Sequence, residues 1–416
     1  MEVLELDCLS AVYGGLCLCR KDGVVLLKGA IPGETVLAQI TDKKRDYSLA
    51  STVNIIKQSK DRIQSKCSVF GLCGGCHLQH ISYSAQIDIK KQVLLDCLKR
   101  IAKCGKTIDK VITKNQWNYR SKAQFKISAE GAIGFYKENS RDVVPIDECF
   151  IVKEEINSYL RKLKQIKLNK GIKELHILSG ENNSLAYVIG DNVSDNFLDS
   201  LLTELGFDGV SSDKGIAKGQ NRCAFTLPVN AKSNADSPRT LKFSLSPGSF
   251  FQSNWDMNVL LVDEIINSLT YELDGNIADI YGGAGNFTLP LALSASSLVL
   301  IEESPISIND AQENAKANNI KNVKFINKPF EKAKLTTSLF DAAVIDPPRK
   351  GLSSNAAAKL LELFPIKIVY VSCNPSTFAR DSAKLMEKYE LTTLTLADMF
   401  PNTYHMEIIG VFTQKK

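Results

Sequence analysis

Long apolar runs are missing from this sequence. No stretch approaches the roughly 18 residues that a bilayer-spanning helix requires, so no membrane partner is expected. The start "MEVLELDCLS" is acidic and cysteine-containing, without the character of a signal peptide, and a cytoplasmic protein is expected. A strong charge bias is missing too. A net charge of +5 over 416 residues permits a nucleic-acid partner without demanding one. With 44% hydrophobic and 23% charged residues, the composition is that of an ordinary soluble protein, long enough for two or three domains. A monomer is expected. Eleven cysteines are unevenly spread, which in so large a chain weighs toward metal or catalytic roles rather than a disulfide framework.

Three regions differ in pattern. Residues 1–58 alternate short apolar runs with Gly and Pro, as a small β-barrel of the OB type does. Cys17 and Cys19 share one face of a strand there and read as core. "TDKKRDYS" groups Lys43, Lys44, Arg45 and Tyr47, either a solvated hairpin tip or a surface for an RNA backbone. Residues 59–245 read as a central α+β domain, with a helix over Ser84–Lys103 and strands in "AQFKISAEGAIGFYK" and "KELHILSG". "KSNADSPRTLK" marks a hairpin tip or loop. In "NQWNYRSKAQFKI", Trp117, Tyr119, Arg120 and Lys122 interleave aromatic and cationic groups, which suits either an unstacked nucleotide or an ordinary strand edge. Residues 246–416 alternate strands (277–281, 298–302, 323–327, 342–346, 367–372) with helical stretches, the doubly wound α/β pattern.

Chemistry concentrates at the strand ends. "VYVSCNPSTFAR" puts Cys373 where a β-branched, aromatic strand gives out, at the carboxyl edge that lines the ligand crevice in such sheets. "ADIYGGAGNFTLPLA" is a glycine-rich turn opening a helix. It lacks the third glycine of a dinucleotide fingerprint, because Asn286, Phe287 and Thr288 follow Gly285. Glu302 closes the next strand, where a carboxylate can accept ribose hydroxyls, and the pair favours S-adenosylmethionine over NAD. "DPPRKG" sets Asp346 on a turn stiffened by two prolines. "HMEIIG" places Glu407 beside a late apolar strand, as a general base or a merely exposed acid. "CSVFGLCGGCHLQH" spaces Cys67, Cys73 and Cys76 as C-x5-C-x2-C on a glycine-rich loop. Such spacing suits an iron–sulfur cluster, with zinc the competing metal, although the second C-x2-C knuckle of a zinc ribbon is absent.

With "FFQSN", "DIYGGAGNF", "DPPRKG", "SCNP" and "HMEIIG" in this order, nearly the whole chain resembles the RNA uracil-5 methyltransferases that make 5-methyluridine. The resemblance implies a carboxyl-terminal class I, Rossmann-like methyltransferase domain and an amino-terminal barrel of the TRAM type. It implies a [4Fe-4S] cluster on Cys67, Cys73, Cys76 and Cys149. The tRNA branch usually lacks barrel and cluster, so 23S rRNA is the expected substrate, with tRNA the alternative and a non-catalytic iron–sulfur RNA-binding protein a further one. Cys373 matches the nucleophile, Glu407 the base, and Gln252, Tyr281, Asn286, Glu302 and Asp346 the cofactor and active-site positions. Asp346 and Gln252 are also candidates for the uracil edge. Gly283 stands where the family often has cysteine, Asn402 where it often has histidine, and Lys328-Pro329 where an acidic or amide side chain often reaches adenine. The implied chemistry explains the thiol. A thiolate adding to carbon 6 of uracil makes carbon 5 nucleophilic, and a base then removes the carbon 5 proton. Two rival enzyme classes fit less well. An adenine amino-methyltransferase would end the acid-Pro-Pro turn in an aromatic, where Arg349 stands. A 5-methylcytosine enzyme would place its cysteine directly after the proline.

Overall fold

The computed structural model describes residues 2–166, 168, 170–229, 239–335 and 340–415. The tip of "KSNADSPRTLK" lies outside them. Strands from Val3–Asp7 to Ser48–Lys57 form a six-stranded sheet. Alternate side chains, Cys17, Cys19, Val25, Leu27, Val36 and Ala38 among them, turn inward to one core. The strands Thr35–Lys43 and Ser48–Lys57 meet at the Lys43–Tyr47 hairpin, where Lys44 N donates to the Tyr47 carbonyl over 2.9 Å. That basic cluster is exposed.

A seven-stranded sheet follows, with strands Lys122–Ile127, Ile172–Ser179 and Ser184–Gly190 at its middle. Helices Glu154–Leu163 and Asp195–Thr203 bury their apolar stripes in its core through Ile156, Leu160, Leu198 and Leu201.

The third sheet has eight strands. Five are parallel, in the order Val323–Asn327, Ser297–Glu302, Asn276–Ile280, Ala342–Ile345, Lys367–Ser372. The order reverses between Asn276–Ile280 and Ala342–Ile345, which opens a crevice at their carboxyl ends. Glu407–Gln414 then pairs antiparallel to both Lys367–Ser372 and Tyr389–Ala397. The strand Lys110–Ile112, more than 130 residues before position 246 in the chain, completes the edge beside Tyr389–Ala397.

Two other early elements also join this layer. The helix read over Ser84–Lys103 is α-helical over Tyr83–Cys97 and ends in a π-helical turn, Leu98–Ala102. Its Val93, Leu94 and Leu98 share a core with Phe378, Leu385 and Leu394. The hairpin Cys223–Val229/Arg239–Leu245 packs against helix Trp255–Ser268 and against helix Pro305–Ala317 with its cap. There Asp310, Asn314 and Asn318, four residues apart on one helical face, meet residues two apart on the strand and its extension. Asp310 Oδ2 accepts Ser246 N, Asn314 Oδ1 accepts Ser244 N, and Asn318 Oδ1 accepts Lys242 N, each at 2.8 Å. One polar helix face thereby satisfies a sheet edge that would otherwise carry bare backbone amides.

Candidate active site

The segment "SCNP" is a strand end fused to a helix start. Ser372 is the last residue of its strand. Asn374 caps helix Pro375–Leu385, its Oδ1 accepting Ser376 N at 3.0 Å and Thr377 N at 3.4 Å, and Pro375 occupies a first-turn position that needs no N–H donor. Cys373 is left between them, half-buried, at the end of the strand beside Ala342–Ile345. In the antiparallel pair that follows, the last partners are Ser372 and Ile408. Cys373 and Glu407 are the next residues along, so the pleat sets them opposite one another. Burial pushes the Cys373 thiol up to about 12, helped by the Glu407 and Asp346 carboxylates and opposed by Arg349. Glu407 is not the exposed acid that was one reading of "HMEIIG". It is 4% exposed, Oε2 has no hydrogen-bond partner among the described residues, and burial followed by the Asp346 charge raises its pKa.

Asp346 follows strand Ala342–Ile345, held by its amide to the Ile280 carbonyl at 3.2 Å. Its pKa rises to about 7, through enclosure first and then the charge of Asp279. The turn closes at Gly351. With φ +72° and only 2.4 Å from a built Cβ to Asp381 Oδ2, a side chain at that position would be both strained and crowded.

Across the switch point, Tyr281 takes a left-handed backbone at φ +66°, rare for an aromatic residue, and turns the chain into the glycine loop. Glu302 receives Gly283 N on Oε2 at 3.1 Å and Ser304 N on Oε1 at 2.7 Å, so two backbone amides fix its carboxylate. Asn286 exchanges amide hydrogen bonds with buried Asn258 at 2.7 and 2.8 Å. Gln252, Tyr281, Asn286 and Asp346 line one narrow cleft with Gly282 and Gly283, and Glu302 stands behind the loop. Sequence reading missed Asp279. It is fully buried under this loop, its Oδ2 accepts Thr288 Oγ1 at 2.5 Å, and its Oδ1 is unpartnered among the described residues. Burial raises its pKa to about 7. The signal was the acid two residues before the tyrosine-glycine turn in "DIYGG".

A second, larger cavity of about 900 Å³ adjoins the cleft through Phe250, Phe251 and Gln252. Arg120, Lys122, Arg349 and His405 contribute polar groups to its wall. Cys67, Cys73, Cys76 and Cys149 all line it. Burial lifts the Cys76 thiol to about 12 and the Cys149 thiol to about 11, and neighbouring cysteines of the same four add to both. Cys97 instead faces Ser376 Oγ at 3.7 Å. Among the described residues, no three His, Cys, Asp or Glu side chains close on one point as the ligands of a single metal ion do. Tyr119, one of the interleaved aromatics, is buried with its hydroxyl on the Pro401 carbonyl at 2.9 Å, so it packs rather than stacks on a nucleotide. Phe250, by contrast, is 69% exposed at the junction of cleft and cavity.

Residues 207–416 match the family model described as tRNA (uracil-5-)-methyltransferase. The chain is 32% identical to an uncharacterized RNA methyltransferase of Aquifex aeolicus, over 99% of both chains. It is 31% identical to the 23S rRNA (uracil(1939)-C(5))-methyltransferase RlmD of Shewanella baltica, over 94% of this chain and 91% of that one. The chain belongs to the RNA uracil-5 methyltransferase family. Its fold is similar to that of the Pyrococcus abyssi tRNA (uracil-54, C5)-methyltransferase in complex with S-adenosyl-L-homocysteine, with a TM-score of 0.78 at 23% identity, covering 99% of this chain and 100% of that one. This methyltransferase is an S-adenosylmethionine-dependent enzyme acting on RNA uracil, with the α/β architecture expected. No helix among the described residues is long and apolar enough to cross a membrane.

Proposed function

We propose that this methyltransferase forms 5-methyluridine in 23S rRNA through a covalent bond between Cys373 Sγ and carbon 6 of the target uracil, with Glu407 as the base. The observation that carries this reading is the placement of thiol and carboxylate opposite one another at the end of one strand pair. Asp346 lines the cleft, with Asp279 buried beneath the glycine loop and Glu407 near enough to feel the Asp346 charge, and the unpartnered oxygens on Asp279 and Glu407 favour a cationic ligand close by. S-adenosylmethionine supplies the methyl group and that positive charge, and Gln252, Tyr281, Asn286, Glu302 and Asp346 are the residues that would hold it. The Cys373 thiolate adds to carbon 6, which makes carbon 5 the nucleophile. Glu407 then takes the carbon 5 proton, the ring double bond re-forms, and the thiolate leaves. Exposed Phe250 offers a stacking face for a uridine swung out of its helix, an arrangement easiest in a loop or bulge.

The four cysteines fit a [4Fe-4S] cluster better than zinc. Their C-x5-C-x2-C spacing on a glycine-rich loop suits such a cluster, and the second C-x2-C knuckle of a zinc ribbon is absent from the sequence. Cys67, Cys73, Cys76 and Cys149 would hold it, with Gly75 N already 3.4 Å from Cys73 Sγ. Bound there, it would tie the loop to the segment at Cys149 and serve structure rather than electron transfer. Full-length resemblance to an enzyme named for 23S rRNA favours that substrate over tRNA. Incubation with tritiated methyl donor and either an unmodified 23S rRNA fragment or unmodified tRNA tests it. Label in 5-methyluridine of the rRNA is expected; label in tRNA alone would move the substrate, and label in methyladenine would refute the chemistry.

A further inference from the structure

Four stretches of chain meet at Asn402. The residue is 1% exposed, with a left-handed backbone at φ +66°. Its carbonyl accepts the amides of His77 and Leu78, each at 3.0 Å, the two residues that follow Cys76. Its amide donates to Gln86 Oε1 at 2.9 Å, Gln86 Nε2 donates back to its Oδ1 at 3.2 Å, and its Nδ2 donates to the Gln116 carbonyl at 2.9 Å. Two residues on, Tyr404 packs against His77 with ring centroids 4.4 Å apart and against Tyr13 at 5.1 Å. The chain then runs through His405, whose Nε2 faces Arg349 at 3.4 Å, to Glu407 at the head of its strand. Cys373 is held chiefly by its own strand and the Asn374 cap, neither of which touches Asn402, and the Tyr13 hydroxyl is its one link toward the Tyr404 packing.

We propose that Asn402, clasped by Gln86 and by the His77 and Leu78 amides, is a positioning residue for Glu407, and that this clasp governs proton removal while leaving the addition of Cys373 intact. The inference rests on the covalent reading above. In the step concerned, a carboxylate oxygen of Glu407 takes the carbon 5 proton. The C5–H electron pair becomes the C5=C6 double bond, and the C6–S pair returns to sulfur as the thiolate departs. A base displaced by an ångström would leave the methylated ring bonded to Cys373.

Two variants of the full chain test this. Asn402→Gly keeps a backbone that tolerates positive φ and removes the side-chain bonds. Gln86→Met removes the Gln86 arm of the clasp from outside the catalytic segment and serves if the first variant fails to fold. Each is incubated with S-adenosylmethionine and either ordinary RNA or RNA carrying 5-fluorouridine, whose fluorine cannot leave as a proton. Turnover on ordinary RNA is expected to fall on the order of 10-fold to 100-fold, with a denaturation-resistant protein–RNA adduct appearing that the unaltered enzyme does not accumulate. The rate of trapping by 5-fluorouridine RNA should be nearly unchanged. Turnover and trapping falling in proportion, or neither changing, would overturn the proposal. If the unaltered enzyme is not trapped at all, the covalent reading itself fails, a result distinct from either.

Discussion

The hydroxyl of Tyr13, in the turn that follows the amino-terminal strand Ser10–Val12, lies 3.3 Å from the carbonyl oxygen of Cys373 and donates to it, 360 residues further along the chain. Cys373, the proposed nucleophile, is therefore braced by a region whose strand pattern reads as a separate RNA-binding module. A bond this long contributes at most about 1 kcal/mol. Tyr13→Phe should keep the ring packing on Tyr404 and lower kcat by no more than about fivefold, with an unchanged melting temperature. Tyr13→Ala should cost more, because the packing goes too. Single-turnover methylation beside thermal unfolding separates the two effects.

Lys90 and Asp398 form an ion pair at 2.5 Å, both side chains essentially inaccessible, and Tyr83 Oη donates to the same carboxylate at 2.9 Å. Lys90 also reaches the Phe400 carbonyl at 3.1 Å, which ties helix Tyr83–Cys97 to the segment leading into the active site. Lys90→Met should destabilise the fold by about 3–5 kcal/mol, because it leaves a buried carboxylate without its cation. Replacing both, Lys90→Met with Asp398→Leu, should recover most of that loss. Urea unfolding of the three proteins checks the order.

The strand edge covered by Asp310, Asn314 and Asn318 gives a local test. Asn314→Ala strands the Ser244 amide and removes the side-chain contact to the Ala284 carbonyl at 3.4 Å. A loss of about 1–3 kcal/mol is expected, since a buried donor is left unsatisfied. Chemical denaturation measures it directly.

Much of this enzyme is visible in its residues one segment at a time. Strand ends, the capped helix after Cys373 and the glycine turn depend on neighbours within a few positions, and "SCNP" or "DIYGGAGNF" carries that information locally. Apart from Asp279, whose signal was local, the missed features are long-range. Nothing near Lys110–Ile112 says that this short strand will complete a sheet whose other strands lie beyond position 275. "INDAQENAKANN" shows a helix, yet the reason for its polar residues at 310, 314 and 318 is a strand some seventy residues earlier. Tyr119 looks like a nucleotide platform beside Arg120 until Pro401 covers its hydroxyl. Asn402 shows the partners behind its proposed role only through Gln86, Gln116 and the cysteine loop.

Asp279 and Asp346 both have pKa values raised to about 7 in the folded protein, by burial first, with the Glu302 charge adding at Asp279 and the Asp279 charge adding at Asp346. A carboxylate whose folded pKa lies above its unfolded value stabilises the protein at low pH, and loses that contribution as pH rises through the folded value. The cofactor-free enzyme should thus lose stability between about pH 4 and about pH 7.5 from these two groups. The same ionisation readies the crevice for a cation. S-adenosylmethionine should bind more tightly as pH rises from about 5.5 to about 8, and S-adenosylhomocysteine, which lacks the sulfonium charge, should gain less. Calorimetric titration of both ligands across that range decides it; equal pH dependence would remove the role given to the carboxylates.

The central claim is a transient bond between one sulfur and one pyrimidine carbon, and trapping it is the most direct measurement. With S-adenosylmethionine and RNA containing 5-fluorouridine at the target, the enzyme should become covalently attached to RNA. Digestion and mass spectrometry should then place the methylated nucleotide on the peptide that carries Cys373, and Cys373→Ser should give neither adduct nor 5-methyluridine. An adduct on another residue, or a Cys373→Ser variant that methylates at the normal rate, would contradict the account.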